Sequence, residues 1–401
     1  MDQATRFFLS RATLQLAALG LLASCANSSQ KNFLPVVAKI GSEVRAISSE
    51  EAKSICGPHY CEDNQLYSSN FGRKQPTDPA PLPVPPSSPR PPSPPGPTSP
   101  PANIPSQPAQ VTDYPFSLLH IADAWKFSKG SPSLVVAVID SGVDYFHPDL
   151  KNNIAVNTVP LAGFPGDKYG WDFVNNRPNA YDDNGHGTHC AGVIAAEDNG
   201  IGVVGVAPRV KILPVKFLGS DGVGDTADAV KAVDYAVARG ARVISNSWAG
   251  RIFSPLLNDA IQRAVNKGVI FVAAAGNESV DNDTKMSYPA AYANVIAVGS
   301  SDRLDARSFF SNYGKKSVLL FAPGTYIFST FMKGQYRVES GTSMAAPQVA
   351  GTIALGLSVN RDLTLDEVAD DLCGSAVERL LDSSKCGRVD AGEFVKRVSV
   401  R

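Results

Sequence analysis

Sixteen of the chain's 30 prolines fall between Pro76 and Pro108, with serine as their main companion and only Asp78 and Arg90 charged. Such a stretch cannot build a core. Proline supplies no backbone N–H and fixes φ, so the segment favours polyproline II. Residues 76–110 are therefore expected to be a Pro-rich linker, reaching on the order of 100 Å at about 3.1 Å per residue if fully extended. The linker divides the chain unequally. Residues 25–75 are polar, with little periodicity beyond Phe33–Ile40, and read as a short N-terminal module of undefined role. Residues 111–401 are left to hold the main fold.

That long remainder alternates short β-branched runs with helix-like stretches. Val135–Asp140, Lys211–Leu218, Arg242–Trp248, Val269–Ala275 and Val295–Gly299 read as buried strands. Thr226–Arg239 places Val230, Val233 and Val237 on one face, with Thr226 as N-cap and Gly240 as stop. Ser254-Pro255 opens a second helix, with Leu257, Ile261, Ala264 and Val265 as its apolar stripe and Gly268 as its end. Strands alternating with helices imply an α/β domain of three layers, a mostly parallel central sheet with helices on both faces. Sites in such sheets lie beyond the carboxyl ends of the strands.

The chain starts with Arg6 and Arg11 around a short basic region, then the 12-residue apolar run ATLQLAALGLLA. That is signal-peptide length and too short for a membrane span. The run ends in Leu22-Ala23-Ser24-Cys25, which resembles a bacterial lipobox. The resemblance implies a signal peptide over residues 1–24, lipidation of Cys25 and anchorage in a bilayer. Ala26, in place of an aspartate, leans toward the outer membrane or cell surface of a bacterial envelope. An ordinary secretory signal with a chance cysteine is the alternative. Export agrees with the cysteines: Cys56 and Cys61 flank a Gly-Pro turn and could close a small disulfide loop, and Cys373 and Cys386 could clip the C-terminal end. His59 alone between Cys56 and Cys61 does not make a zinc site. With 37 basic and 38 acidic residues, the chain has no basic excess, so nucleic acid is not an expected partner.

Four segments carry chemistry. The first strand ends in Asp140. Asn184–Gly192 reads NGHGTHCAG, with His186 between glycines. Ala273–Glu278 reads AAAGNE, with Asn277 just past a strand. Gly341–Gly351 reads GTSMAAPQVAG, with Ser343 opening a helix. In this order the chain resembles the subtilisin-type serine endopeptidases over nearly all of residues 111–401. The resemblance implies Asp140, His186 and Ser343 as a catalytic triad, with Asn277 and the Ser343 amide as oxyanion donors. A serine hydroxyl needs an adjacent base, and the base needs a carboxylate to fix its tautomer. His147 and His189 are expected to serve the scaffold.

The same resemblance assigns the cleft. Ser247, Trp248, Ala249 and Gly250 would form one wall of the primary pocket, and Ala274 and Gly276 the other. Trp248, where a smaller residue is common, would reshape a neighbouring subsite. Glu278 would sit at the rim and tolerate a basic side chain. Gly222 and Gly224 would hold the substrate as an added strand. Glu197–Val203 reads EDNGIGV and resembles a calcium loop, in which Asn199, the carbonyls of Glu197, Ile201 and Val203, and the Asp149 carboxylate bind structural Ca²⁺. The alternative is a Gly/Asn turn without an ion. Cys190, where many relatives carry valine, is expected to be a buried thiol beneath the site, making mercurials inhibitory. Most secreted subtilisins also carry an inhibitory propeptide, whose pattern is not recognisable between Cys25 and the linker.

The function implied is a monomeric, exported, membrane-anchored serine endopeptidase acting on polypeptides. A silent binding protein on a protease fold would have lost a triad residue, and none is lost. An esterase would show GxSxG rather than GTSMA.

Overall fold

The computed structural model describes residues 36–40, 43–47, 62–63, 66–68, 96–100, 106–380 and 382–401. The signal segment, Cys25, the Cys56–Cys61 pair and most of the Pro-rich linker lie outside the described residues. Four short strands precede the linker: β1 (Val36–Ile40), β2 (Glu43–Ile47), β3 (Glu62–Asp63) and β4 (Leu66–Ser68). β1 pairs antiparallel with both β2 and β3.

After the linker come α1 (Tyr114–Leu118), α2 (Ile121–Ala124), β5 (Val135–Asp140), β6 (Trp171–Asp172), β7 (Arg177–Pro178) and α3 (His186–Ala195). Next are β8 (Lys211–Lys216), β9 (Val223–Asp225), α4 (Thr226–Ala238), β10 (Val243–Asn246), α5 (Pro255–Val265), β11 (Ile270–Ala274) and β12 (Val295–Ser301). The chain closes with β13 (Leu320–Pro323), β14 (Ile327–Phe331), β15 (Gln335–Glu339), α6 (Thr342–Val359), α7 (Leu365–Ser375) and α8 (Ala391–Val398).

The central sheet has the order β13-β12-β11-β10-β5-β8-β6-β7. Every neighbouring pair is parallel except β6–β7. Side chains alternate between two cores, as a period of two requires. Val136, Val138, Ile212, Val243, Val272 and Val298 face the core shared with α3, α6 and α8. Ala137, Ile139, Leu213, Val215, Ile244, Phe271 and Ala273 face the core shared with α4 and α5. This is the three-layer α/β fold the alternation implied.

Two local features differ from the sequence reading. The N-cap of α4 is Asp225, not Thr226: its carboxylate accepts from Asp228 N at 2.9 Å, while Thr226 is fully buried in the first turn. A charged acceptor at a helix N-terminus has the stronger claim on the free amides. Contacts with the catalytic body also begin inside the stretch assigned to the linker. Gly202 N donates to Pro108 O at 2.8 Å and Val111 N to Gly202 O at 2.8 Å, since a proline carbonyl still accepts where its nitrogen cannot donate. Cys373, in α7, is bonded to Cys386, tying that helix to the segment leading into α8.

Candidate active site

Asp140 is the last residue of β5, so the sheet delivers it to the carboxyl edge. Its Oδ1 accepts from His186 Nδ1 at 2.8 Å and from Ser141 N at 2.7 Å. The loop before His186 is organised by the fully buried Asp182. That carboxylate accepts from Ser141 Oγ, Asn184 N, Gly185 N, Thr188 N and Thr188 Oγ1, all within 3.0 Å. The two glycines around His186 are required by geometry. Gly185 has φ 102°, and a Cβ at Gly187 would stand 2.1 Å from Gly142 O.

Ser343 lies in the first turn of α6, and Pro347 stands four residues on inside the helix. Proline cannot donate the bond that the Ser343 carbonyl would otherwise accept. That carbonyl instead accepts from Ser247 Oγ at 2.8 Å and Cys190 Sγ at 3.4 Å. The proline of GTSMAAP thereby fastens the serine to β10 and α3. Ser343 Oγ itself donates to Ser247 O at 3.0 Å, and His186 Nε2 has no partner among the described residues. The expected hydroxyl–imidazole bond is thus not made here. Ligand-free sites often hold such bonds open.

Asn277 follows β11. Its Oδ1 accepts from Thr342 N at 2.9 Å and Thr342 Oγ1 at 3.0 Å, which fixes the amide and turns Nδ2 the other way. A Cβ built on Gly341 would lie 3.5 Å from both Asn277 Nδ2 and Ser343 N. Two donors therefore border one small space beside Ser343.

Burial alone would push the His186 imidazole down, but the Asp140 carboxylate, with the Cys190 thiol beside it, holds its pKa well above the usual value. Burial raises the Cys190 thiol, which lies 4.0 Å from His186 Nδ1 and is bonded to no other cysteine among the described residues. Burial pushes His147 and His189 down to about 4, and both donate to backbone carbonyls, of Gln335 for His147 and of Ile327 and Arg337 for His189. Both act as scaffold residues.

Ser247–Gly250 leave the end of β10, and Ala274–Gly276 leave the end of neighbouring β11. Two assigned cleft residues differ from the sequence reading. The Trp248 indole is buried, 4.7 Å from the Phe217 ring, and donates to Ile139 O at 2.9 Å. It backs the cleft from within the core rather than lining it. Glu278 Oε2 pairs with Arg251 at 3.1 Å and Asn312 Nδ2 at 2.8 Å, so its charge is already compensated and a basic substrate side chain gains little from it. The edge holding Gly222 and Gly224 is paired by the chain itself. β4 runs antiparallel to β9, with Tyr67 opposite Gly224 and Ser68 opposite Val223.

At the Glu197–Val203 loop, Asp149 Oδ2 accepts from Val203 N at 2.9 Å, whereas Oδ1 is buried without a partner among the described residues. Burial pushes this carboxyl up to about 7. Asn199 Oδ1 accepts from Ile201 N at 3.1 Å, and the Glu197 carboxylate turns away to Asn152. Of Glu197, only the backbone carbonyl remains a candidate ligand. An orphaned buried carboxylate oxygen is the kind of hard donor a calcium ion takes.

Sequence reasoning missed Asp182, Ser141 and Thr342, which position catalytic candidates without resembling reactive groups. It also missed β4, whose three residues, Leu66-Tyr67-Ser68, are too few to show a period.

A sequence model described as the subtilase family matches residues 131–389. Thermitase of Thermoactinomyces vulgaris is 40% identical over 258 residues, 63% of this chain and 86% of that protein. The thermophilic serine proteinase of Bacillus sp. strain AK1 is 41% identical over 258 residues, covering 63% and 60%. The major intracellular serine protease of Bacillus subtilis strain 168 is 42% identical over 238 residues, covering 58% and 71%. With this match and this sheet, the chain belongs to the subtilase family of serine proteases.

Proposed function

We propose that the protein is an exported, membrane-anchored serine endopeptidase that cleaves polypeptides through an acyl-enzyme on Ser343. The observation that carries this is the 2.8 Å His186–Asp140 bond, with Cys190 touching both His186 and the Ser343 carbonyl and two donors bordering the space beside Ser343. In the reaction the Ser343 hydroxyl turns from the Ser247 carbonyl toward His186 Nε2 and gives up its proton as Oγ attacks the substrate carbonyl. Asp140 holds the resulting imidazolium. Asn277 Nδ2 and Ser343 N receive the oxyanion. His186 then passes its proton to the leaving amine, and water releases the acyl group by the same steps. Fluorophosphonate labelling and casein hydrolysis test the reading: both are expected in the wild type and lost in Ser343→Ala. Labelling without casein cleavage would favour an esterase, and no labelling a binding protein.

Anchorage and export rest on the Leu22–Cys25 pattern, with mass spectrometry of the mature N-terminus as the check. Calcium would be held by Asp149, Asn199 and the carbonyls of Glu197, Ile201 and Val203. Its part is structural, neutralising a carboxylate the fold has buried.

The N-terminal module serves as an internal inhibitor in this reading. β4 occupies the edge of β9 where an extended substrate would add its strand, and β2 rests on α4, which follows β9. In a Ser343→Ala background, Tyr67→Pro/Ser68→Pro removes the ladder donors of β4, and a labelled tetrapeptide should bind at least tenfold tighter. Equal affinities would remove the inhibitory role and leave the protease reading intact.

A further inference from the structure

The proline tract between Pro76 and Pro108 contains a single glycine, Gly96. The structure places that residue against the catalytic body. A Cβ at Gly96 would lie 2.4 Å from Tyr181 Cβ, 2.9 Å from the Tyr145 hydroxyl and 3.2 Å from Tyr181 Cγ. Such distances leave no room for any side chain. The φ of Gly96 is not in the left-handed region. Close approach, rather than an unusual backbone, is what requires glycine here. The next residue supplies the polar contact: Tyr145 Oη donates to Pro97 O at 2.9 Å.

The receiving surface is built from rings. Tyr145 stacks on Tyr169 at 4.5 Å and 13° and meets Phe146 and Tyr181 edge-on at 5.0 and 5.3 Å. Aromatic surfaces with a hydroxyl at the edge suit polyproline, whose backbone carbonyls are unpaired and whose conformation is already fixed before binding. Little conformational entropy is then lost on docking.

The position of this surface gives the contact its meaning. Tyr145 lies five residues past Asp140, on the segment leaving β5. Tyr181 lies five residues before His186 and adjoins Asp182, which organises the histidine loop. The two segments also touch directly, since Gly142 faces Ala180 O and the Tyr181 carbonyl.

We propose that the cluster of Tyr145, Phe146, Tyr169 and Tyr181 is a docking site for a proline-rich segment, and that its occupant is this chain's own Gly96-Pro97. Gly96-Pro97 thus straps the linker onto the two loops that carry Asp140 and His186. This placement extends the protease reading, since the strap lies on the catalytic loops, but the contact does not depend on turnover.

The test uses full-length Ser343→Ala protein, which cannot digest itself, labelled with 3-fluorotyrosine and read by ¹⁹F NMR. Tyr145→Phe and Tyr181→Phe assign the two resonances. Gly96→Val should shift both while leaving Tyr235, which donates to Asp167 on the far side of the sheet, in place. Gly96→Ala should do the same with a smaller perturbation and covers the case in which the valine variant fails to fold. Unmoved Tyr145 and Tyr181 resonances in both variants would overturn the proposal. So would a shift that includes Tyr235 equally, which would report a global change. Absence of casein cleavage by the unsubstituted protein would count against the protease reading alone.

Discussion

Gly341→Ala separates folding from catalysis at a single methyl group. Gly341 has φ 164° and ψ 162°, an extended backbone that alanine adopts without strain. The added Cβ meets Asn277 Nδ2 and Ser343 N at 3.5 Å and Ser343 Cβ at 3.7 Å. These are ordinary van der Waals contacts, so the fold should accept the change. The methyl nevertheless stands 3.5 Å from both donor nitrogens, and an oxyanion must come within about 2.7–3.1 Å of each. Loss of one such donor costs about 2.7–4 kcal/mol in subtilisin-type enzymes. Gly341→Ala should therefore lower kcat at least about a hundredfold, since one donor at minimum is blocked. The assay is kcat on a tetrapeptide anilide, with the thermal midpoint measured alongside. A kcat within threefold of wild type at an unchanged midpoint would refute the assignment of this space to the oxyanion. A collapsed midpoint would refute the packing argument instead.

Other outcomes follow from the same geometry. His186 must be neutral to act as a base, and its pKa is raised by Asp140 against the opposing effect of burial. Activity is therefore lost as pH falls through that raised value. The acid limb of kcat/KM should lie above 6.5 and move downward in Asp140→Asn. Thr342→Val removes one of two bonds holding Asn277 Oδ1. At about 0.5–1.5 kcal/mol for a neutral hydrogen bond, kcat should drop about two- to twelvefold with KM unchanged, and Thr342→Ser should restore it. EDTA should lower the thermal midpoint by several degrees, since calcium at a hundred times its Kd adds about 2.7 kcal/mol. An unchanged midpoint with no metal detected would eliminate the site.

The five strands read from the sequence, β5, β8, β10, β11 and β12, were legible because they are buried and rich in β-branched residues, as in VVAVID ending at Asp140, whereas β6, β7, β13, β14 and β15 were not read. The reactive residues were legible because their motifs are dense in glycine and small residues, which close packing around His186 and Ser343 demands. The support was not. Asp182 looks like any loop acidic residue until five donors converge on it. Pro347 looks like a helix breaker, yet it frees the carbonyl that anchors Ser343. Trp248 was misplaced because a residue at a strand end can face either the cleft or the core, and only the Phe217 ring decides between them. β4 was missed because three residues have no period, and its partner lies more than 150 positions away.

The order of parts along the chain has a further result. β4 precedes the proline tract, and Cys25, the proposed lipid site, precedes β4. One backbone scission just downstream of Ser68 would leave the N-terminal module on the catalytic body only through the β4–β9 ladder and the β2–α4 contact. Dissociation of the cut module would then unblock β9 and detach the catalytic body together, and an enzyme still held at its original location would be one that had not yet been switched on.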